Sequence, residues 1–305
     1  FASVLLWIIA TIKFACDGSL PARLALWGLL PEAYAAISVR AVVALLRLKS
    51  GSTPVVVLRN CVTDAGAVEL AKALQEYGKK AELQALELPH NPALTSEGLR
   101  ALAAAVTFDG SMVEELDFSY NPQLGDAAVT VLWPLLVSKT SKINTLRLMD
   151  CGLKTESIKQ LAGNAQRMNL RLLDLSLNEL TGAGEALAEM CDAPVLEELS
   201  LNCCGLKPKD VAELSEQLPY TSIKSLQLGG NHFGSEGLSE LLKYLAQSQI
   251  DELGLEGNDI EAKDLDGLGT VWVKRPFSRI RLSGNRMSNA DVAAFITTLK
   301  STQMM

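Results

Sequence analysis

Short runs in which apolar and polar residues alternate recur along most of the chain, and each is followed three residues later by Asn or Cys. Leu173-Asp-Leu175 leads to Asn178, Leu199-Ser-Leu201 to Cys204, Leu226-Gln-Leu228 to Asn231, Leu253-Gly-Leu255 to Asn258 and Ile280-Arg-Leu282 to Asn285. Upstream the same frame aligns Val55-Val-Val57 with Asn60, Leu86-Glu-Leu88 with Asn91, Leu116-Asp-Phe118 with Asn121 and Leu146-Arg-Leu148 with Cys151. These key positions lie 31, 30, 30, 27, 26, 27, 27 and 27 residues apart. Nine units in register establish an internal repeat, and a period of this length decides the architecture before local propensity matters.

Within each unit the periodicity changes. Alternation at Leu173 and Leu175 places two apolar side chains on one face of a strand. A helical pattern follows each turn: Ala186, Leu187 and Met190; Val211, Leu214 and Leu218; Leu238, Leu241, Leu242 and Leu245. One strand and one helix per unit is therefore expected, with residues 55 to 299 forming a continuous solenoid. Parallel strands stack about 4.8 Å apart, whereas packed helices need roughly 8–10 Å. That mismatch predicts curvature, with nine strands covering roughly 40 Å of a concave face.

The apolar-x-apolar-x-x-Asn/Cys core and the 26 to 31 residue period resemble the leucine-rich-repeat family in its ribonuclease-inhibitor-like branch, over residues 55 to 305. The resemblance implies an α/β solenoid, a curved horseshoe with a parallel inner sheet and helices on the convex face. It also implies that the key Asn or Cys side chains satisfy backbone groups inside the turn that leaves each strand. Asn91-Pro-Ala-Leu94 and Asn121-Pro-Gln-Leu124 carry one residue more than Asn178-Glu-Leu180, which predicts a small bulge on one rim, read as a tolerated insertion ahead of a dedicated binding feature.

The ends differ from the middle. Residues 20 to 54 read as a degenerate capping unit, with Leu24-Ala-Leu26-Trp27-Gly28-Leu29 in place of the strand core and a helix from Pro31 to Leu48. Residues 1 to 19 hold an apolar helix in which Lys13 is the only charge among the first sixteen positions. All-round apolarity requires burial. Three environments fit: a cap on the solenoid, a membrane span continuing upstream of Phe1, or a partner subunit. Ser288-Asn-Ala-Asp291 opens a final helix through Leu299.

Composition narrows the chemistry. Hydrophobic residues make up 48% of the 305 residues but aromatics only 5%, which fits a repeated aliphatic core. A formal charge of -7 lacks the basic footprint of a phosphate-tracking protein and argues against nucleic acid as a partner. Six irregularly spaced cysteines and the absence of Asn-x-Ser/Thr favour a reducing, intracellular setting, in cytosol or organelle. His90 and His232 are the only histidines, and neither lies in a metal-ligand cluster. The run Gly229 to Gly237 lacks the Lys-Ser/Thr of a phosphate loop. Cys203 and Cys204 are read as buried, inert thiols. No catalytic residue, cofactor or metal is expected.

What remains is a noncatalytic interaction or structural protein, an adaptor or accessory subunit whose partners are proteins of a multi-subunit assembly. Two alternatives come from the resemblance: a GTPase-activating regulator similar to Ran GTPase-activating proteins, and an inhibitor of a basic secreted enzyme. The period-two rule makes Pro54, Val56, Leu58, Ala85 and Pro89 an outward apolar patch in the early units. Further along it presents Glu115, Asp117, Asp174, Glu198, Glu252 and Glu256, with Arg147, Arg279 and Arg281 as basic exceptions. At the strand exits His90, Tyr120 and Leu177 are equivalent, and Tyr120 is the best single anchor because aromatics dominate interface hot spots.

Overall fold

The computed structural model describes residues 55–107 and 111–303, with the side chains of 78–81, 298 and 301–303 left aside. The expected apolar helix (1–19) and capping unit (20–54) lie outside these residues. The chain divides into two compact units, one of Phe1–Leu124 with Ser138–Ile143 and the other of Gly125–Val137 with Asn144–Met305.

In the first unit three strands run parallel: β1 (Val55–Val57), β2 (Ala85–Glu87) and β3 (Glu115–Asp117), with Val56 opposite Leu86 and Leu86 opposite Leu116. Helix α1 (Asp64–Ala81) joins β1 to β2 and α2 (Ser96–Val106) follows β2. The second unit opens with α3 (Ala127–Leu136) and continues through six strands, β4 (Thr145–Arg147), β5 (Leu172–Asp174), β6 (Glu198–Ser200), β7 (Ser225–Gln227), β8 (Glu252–Gly254) and β9 (Arg279–Arg281), each parallel to the next. Between and after them lie α4 (Thr155–Ala162), α5 (Gly184–Met190), α6 (Pro208–Gln217), α7 (Gly234–Leu245), α8 (Leu265–Lys274) and α9 (Asn289–Gln303). Each crossover is the strand–helix unit that the two periodicities require.

The strands are short because only their central residue and the one two places on are apolar and inward. Leu86, Leu116, Leu146, Leu173, Leu199, Leu226 and Leu253 are buried, as are Leu88, Phe118, Leu148, Leu175, Leu201, Leu228 and Leu255. Beyond the third residue the ladder persists, with Leu88 N donating to Asp117 O at 2.7 Å and Leu175 N to Ser200 O at 2.9 Å. Helix side chains such as Leu99, Leu102, Leu187, Leu214 and Leu241 close the core from the other side. Truncating any of these leucines to Ala should cost about 2–5 kcal/mol.

Asparagines then tie each strand exit to its neighbour. Asn91 Oδ1 accepts from Cys61 N and Val62 N, both at 2.8 Å, while its Nδ2 donates to Leu58 O at 2.9 Å and Leu88 O at 2.8 Å. Asn178 does the same with Cys151 N, Leu153 N, Leu148 O and Leu175 O, and Asn231 with Cys204 N, Leu206 N, Leu201 O and Leu228 O. A buried turn cannot leave its backbone groups orphaned, and one amide satisfies four of them. At 204 the thiol is a weaker substitute, donating to Leu175 O at 3.4 Å.

The first repeat corrects the sequence frame by one residue. Val56 pairs with Leu86, so Cys61, not Asn60, holds the spine position, and its distance to Asn91 becomes 30 residues like the two that follow. Val56 and Leu58 are consequently core, at 3% and 4% exposure, while Val55 and Val57 face outward at 41% and 37%. Ala85 and Pro89 are buried as well. Of the expected patch, Val56, Leu58, Ala85 and Pro89 are thus buried, and Pro54 lies outside the described residues. In an all-valine strand the period-two pattern carries no phase, so alignment on Asn60 chose the wrong face.

Among the described residues, no helix is long and apolar enough to cross a membrane. The extra residue after Asn91 and Asn121 makes a turn, Leu94 N donating to Asn91 O and Leu124 N to Asn121 O, that leaves Pro92, Ala93, Pro122 and Gln123 exposed.

Candidate protein-binding face

The outward strand residues occupy three rows. The first strand position holds Val55, Ala85 and Glu115 in the first unit and Thr145, Leu172, Glu198, Ser225, Glu252 and Arg279 in the second. The third position holds Val57, Glu87 and Asp117, then Arg147, Asp174, Ser200, Gln227, Gly254 and Arg281. Two residues further on, Glu256 belongs to the same face.

The structure fixes several of these side chains. Asp117 Oδ1 accepts from Ser119 N at 2.8 Å, and Asp174 Oδ1 accepts from Ser176 N at 3.0 Å. Asp-x-Ser at this point of the repeat thus folds the carboxylate back on its own strand exit. At the C-terminal end the basic exceptions are paired: Arg279 meets Glu252 at 3.1 Å, and Arg281 meets Glu256 at 3.9 Å and Gln227 Oε1 at 2.5 Å. Pairing between neighbouring strands follows from register, since Glu252 stands opposite Arg279. Exposed pairs of this kind contribute little to stability, about 0–1 kcal/mol. Glu198 is exposed, and Glu115 and Arg147 are half-buried.

Immediately before the spine residue every repeat turns through the left-handed region. Asn60, His90, Tyr120, Asp150, Leu177 and Cys203 have φ between 48° and 62°, and Gly230, Gly257 and Gly284 continue the row at 60° to 70°. A bulky side chain there costs about 1–2 kcal/mol that glycine does not. His90 and Tyr120 stack with centroids 4.2 Å apart and planes 4° from parallel. The sequence placed these two residues at equivalent sites, but not their stacking, which depends on a shared backbone conformation.

Three features had no signal in the reading of single repeats. On the rim His232 Nδ1 lies 3.0 Å from Asp259, whose other oxygen accepts from Arg286 Nε at 3.0 Å; together they hold the Asp259 carboxyl below its ordinary range, the histidine contact first. The three residues follow successive spine asparagines, so a register alignment would have found them. At the strand entrances Glu197 is bracketed by Arg171 at 2.8 Å and Lys224 at 3.2 Å, and hydrogen bonds from both keep its carboxyl low. Cys203 is exposed rather than buried, because the left-handed turn swings it out of the core. Its neighbour Cys204 is buried, and desolvation pushes the thiol up to about 12, as it does at Cys191. Among the described residues, no three His, Cys, Asp or Glu side chains converge as metal ligands would.

Comparison with known proteins finds the same class of repeat. The leucine-rich-repeat family model matches residues 167–184 and 221–242. Ribonuclease inhibitor of Mus musculus is 28% identical over 67% of this chain and 45% of its own length, and that of Sus scrofa 30% identical over 59% and 46%. The chain is built of leucine-rich repeats and is similar to the ribonuclease-inhibitor-like branch. The chain spans less than half the length of these curated relatives. Among solved structures, one of the Rad7 and Elc1 complex in yeast aligns with 99% of this leucine-rich-repeat chain and 88% of its own chain, at 13% identity and a TM-score of 0.42.

Proposed function

We propose that this leucine-rich-repeat protein is a noncatalytic, intracellular protein-binding module, an adaptor or accessory subunit of a larger assembly. Its outward strand face is the surface that meets the partner. Glu115, Asp117, Tyr120, Arg147, Asp174, Glu198, Glu252, Glu256, Arg279 and Arg281 are the contact residues of this reading. The observation that carries it is preorganisation: Asp117 and Asp174 are pinned by Ser119 N and Ser176 N, and Arg279 and Arg281 by Glu252 and Glu256. Side chains already held in place lose little rotamer entropy on binding, which is what a recognition surface needs. The likeness to ribonuclease inhibitors, proteins named for acting on another protein, supports a binding role.

The test starts by purifying the protein from its native source and identifying by mass spectrometry what co-purifies. Affinity for that partner is then measured for Tyr120→Ala and for Glu115→Lys/Asp117→Lys. Losses of tenfold or more are expected. If both variants fold and bind within a factor of about two, under 0.5 kcal/mol, another face is the interface.

A further inference from the structure

Strand exits in the second unit each hand two N–H groups to the strand that follows. Leu201 N donates to Gln227 O at 2.8 Å and Cys203 N to Gly229 O at 2.7 Å; Leu255 N and Gly257 N donate to Arg281 O and Ser283 O, both at 2.9 Å. The next spine asparagine then takes two more, Asn285 Oδ1 accepting from Asn258 N at 2.8 Å and Ile260 N at 3.1 Å. One repeat later the corresponding donors are Leu282 N, Gly284 N, Asn285 N and Met287 N, and none of the four has an acceptor among the described residues. The apolar positions behind them are open in the same way. Ile280, Leu282 and Met287 are half-buried, whereas their counterparts Leu253, Leu255 and Ile260 are at most 1% exposed.

An open strand edge pairs with any strand that reaches it, and proteins commonly blunt such edges with proline, a bulge or a charge directed over the edge. β9 has no proline, and its arginines lean the other way: Arg279 meets Glu252 on β8, and Arg281 reaches Gln227 on β7. The edge is left clear for pairing.

The donors also set the direction of the strand that fits. Asn285 N and Met287 N call for an acceptor side chain in the turn that leaves the new strand, as Asn285 supplies for the repeat before it. Only a strand parallel to β9 brings its exit turn to that side. Two copies of the chain related by a two-fold axis meet at β9 antiparallel, with the exit turn at the far end, and so leave these two donors unmet.

We propose that the open edge of β9 takes a parallel strand from a protein partner, with the pattern apolar-x-apolar-x-x-Asn. Its carbonyls accept from Leu282 N and Gly284 N, its apolar side chains cover Ile280 and Leu282, and its Asn accepts from Asn285 N and Met287 N. In strand addition the main chain gives affinity and the pockets for alternate side chains give specificity. Selection here is by backbone and shape rather than by charge. This surface goes beyond the outward face and stands without that reading.

The probe is a fluorescein-labelled peptide spanning Ser225–Asn231, whose own strand lies parallel to β6 in the required register. In its repeat Ser225 N donates back to Glu197 O and Leu228 N forward to Gly254 O, and Gln227 N faces the same edge as Ser225 N because strand residues alternate. N-methylation of Gln227 should therefore weaken binding to the full chain about tenfold, while N-methylation of Leu228 leaves it within a factor of about two. Leu226→Ser/Leu228→Ser and Asn231→Ala peptides should each bind at least about fivefold more weakly. Amide exchange at Leu282 and Gly284 should slow about tenfold with the parent peptide, and likewise in the complex purified from the native source.

Absence of parent-peptide binding, or indifference to N-methylation, overturns the strand addition. The opposite order of the two N-methyl peptides overturns the parallel direction, because an antiparallel strand with the same side chains inward presents the alternate N–H groups. Exchange at Leu282 and Gly284 that slows with protein concentration alone puts a second copy there and overturns the partner assignment. Unchanged exchange at both amides in the native complex overturns it too, while Tyr120→Ala and the Glu115→Lys/Asp117→Lys reversal decide the outward face separately.

Discussion

The repeats of the first unit and those of the second half of the second unit build the same backbone and load it differently. In the first, the spine residues Cys61, Asn91 and Asn121 lie 30 residues apart and the turn before them carries Asn60, His90 and Tyr120. From Cys204 to Asn285 the spacing is 27 residues, and the turns before Asn231, Asn258 and Asn285 are glycine. The spine hydrogen bonds nevertheless share one plan, as Asn91 and Asn231 each accept from the N–H of the preceding spine residue and donate to the carbonyl three residues before them. Side chains that close buried backbone groups are held constant, and side chains at the adjacent left-handed turn are free to vary. Specificity is therefore expected where variation is tolerated, and stability where it is not.

The sharpest way to break that contrast is to damage the spine. Asn178→Ala removes the acceptor for Cys151 N and Leu153 N and the donor to Leu148 O and Leu175 O, all buried. Orphaning several such groups should cost about 3–5 kcal/mol, readable as a shift of the urea midpoint. A loss under about 1 kcal/mol would mean that other groups close the turn.

Exchanging the turn residues should have a smaller, asymmetric effect. Leu177→Gly relieves a positive φ of 62° but loosens the unfolded chain and exposes some apolar surface, so the net change should stay within about 0.5 kcal/mol. The reverse change, Gly230→Leu, introduces strain and places a Cβ only 2.6 Å from Cys203 Sγ. A loss of about 1–2 kcal/mol is expected, measured by the same denaturation. Equal and opposite effects would show that the turn itself, rather than its neighbours, sets the balance.

Thiol labelling sharpens the comparison between turn and spine positions within one repeat. Iodoacetamide on the native protein, followed by peptide mass spectrometry, should modify exposed Cys203 and spare buried Cys204 and Cys191, whose thiols are pushed up to about 12 and so stay protonated. Labelling of Cys204 at the rate of Cys203 would mean that the spine opens readily.

The smallest effect belongs to surface charge. The Glu197 carboxyl is held below its ordinary value of 4.5, through hydrogen bonds from Arg171 and then Lys224. A depressed carboxylate contributes stability above its unfolded value, and that contribution fades as pH falls through the lower folded value. Glu197→Gln should therefore lower the melting temperature slightly at neutral pH and make no difference well below pH 4.5. A variant that instead melts lower only in acid would invert the sign.

Sequence by itself determined the repeat, because alternation, helical spacing and the Asn or Cys that follows recur at fixed intervals and each has one structural solution. It placed eight of nine spine residues and the outward row from Glu115 to Arg281. The exception was the first repeat, where Val55-Val-Val57 alternates nothing and only pairing of Val56 with Leu86 revealed the phase. Tertiary structure alone decided which outward groups meet, since Arg281 with Gln227, Glu197 with two bases and His90 with Tyr120 join residues 26 to 54 apart in sequence. It also decided that Cys203 faces solvent beside a buried Cys204. Local pattern reports which face a residue prefers. Contacts between repeats depend on backbone register and on the sign of φ, and neither is written in the period.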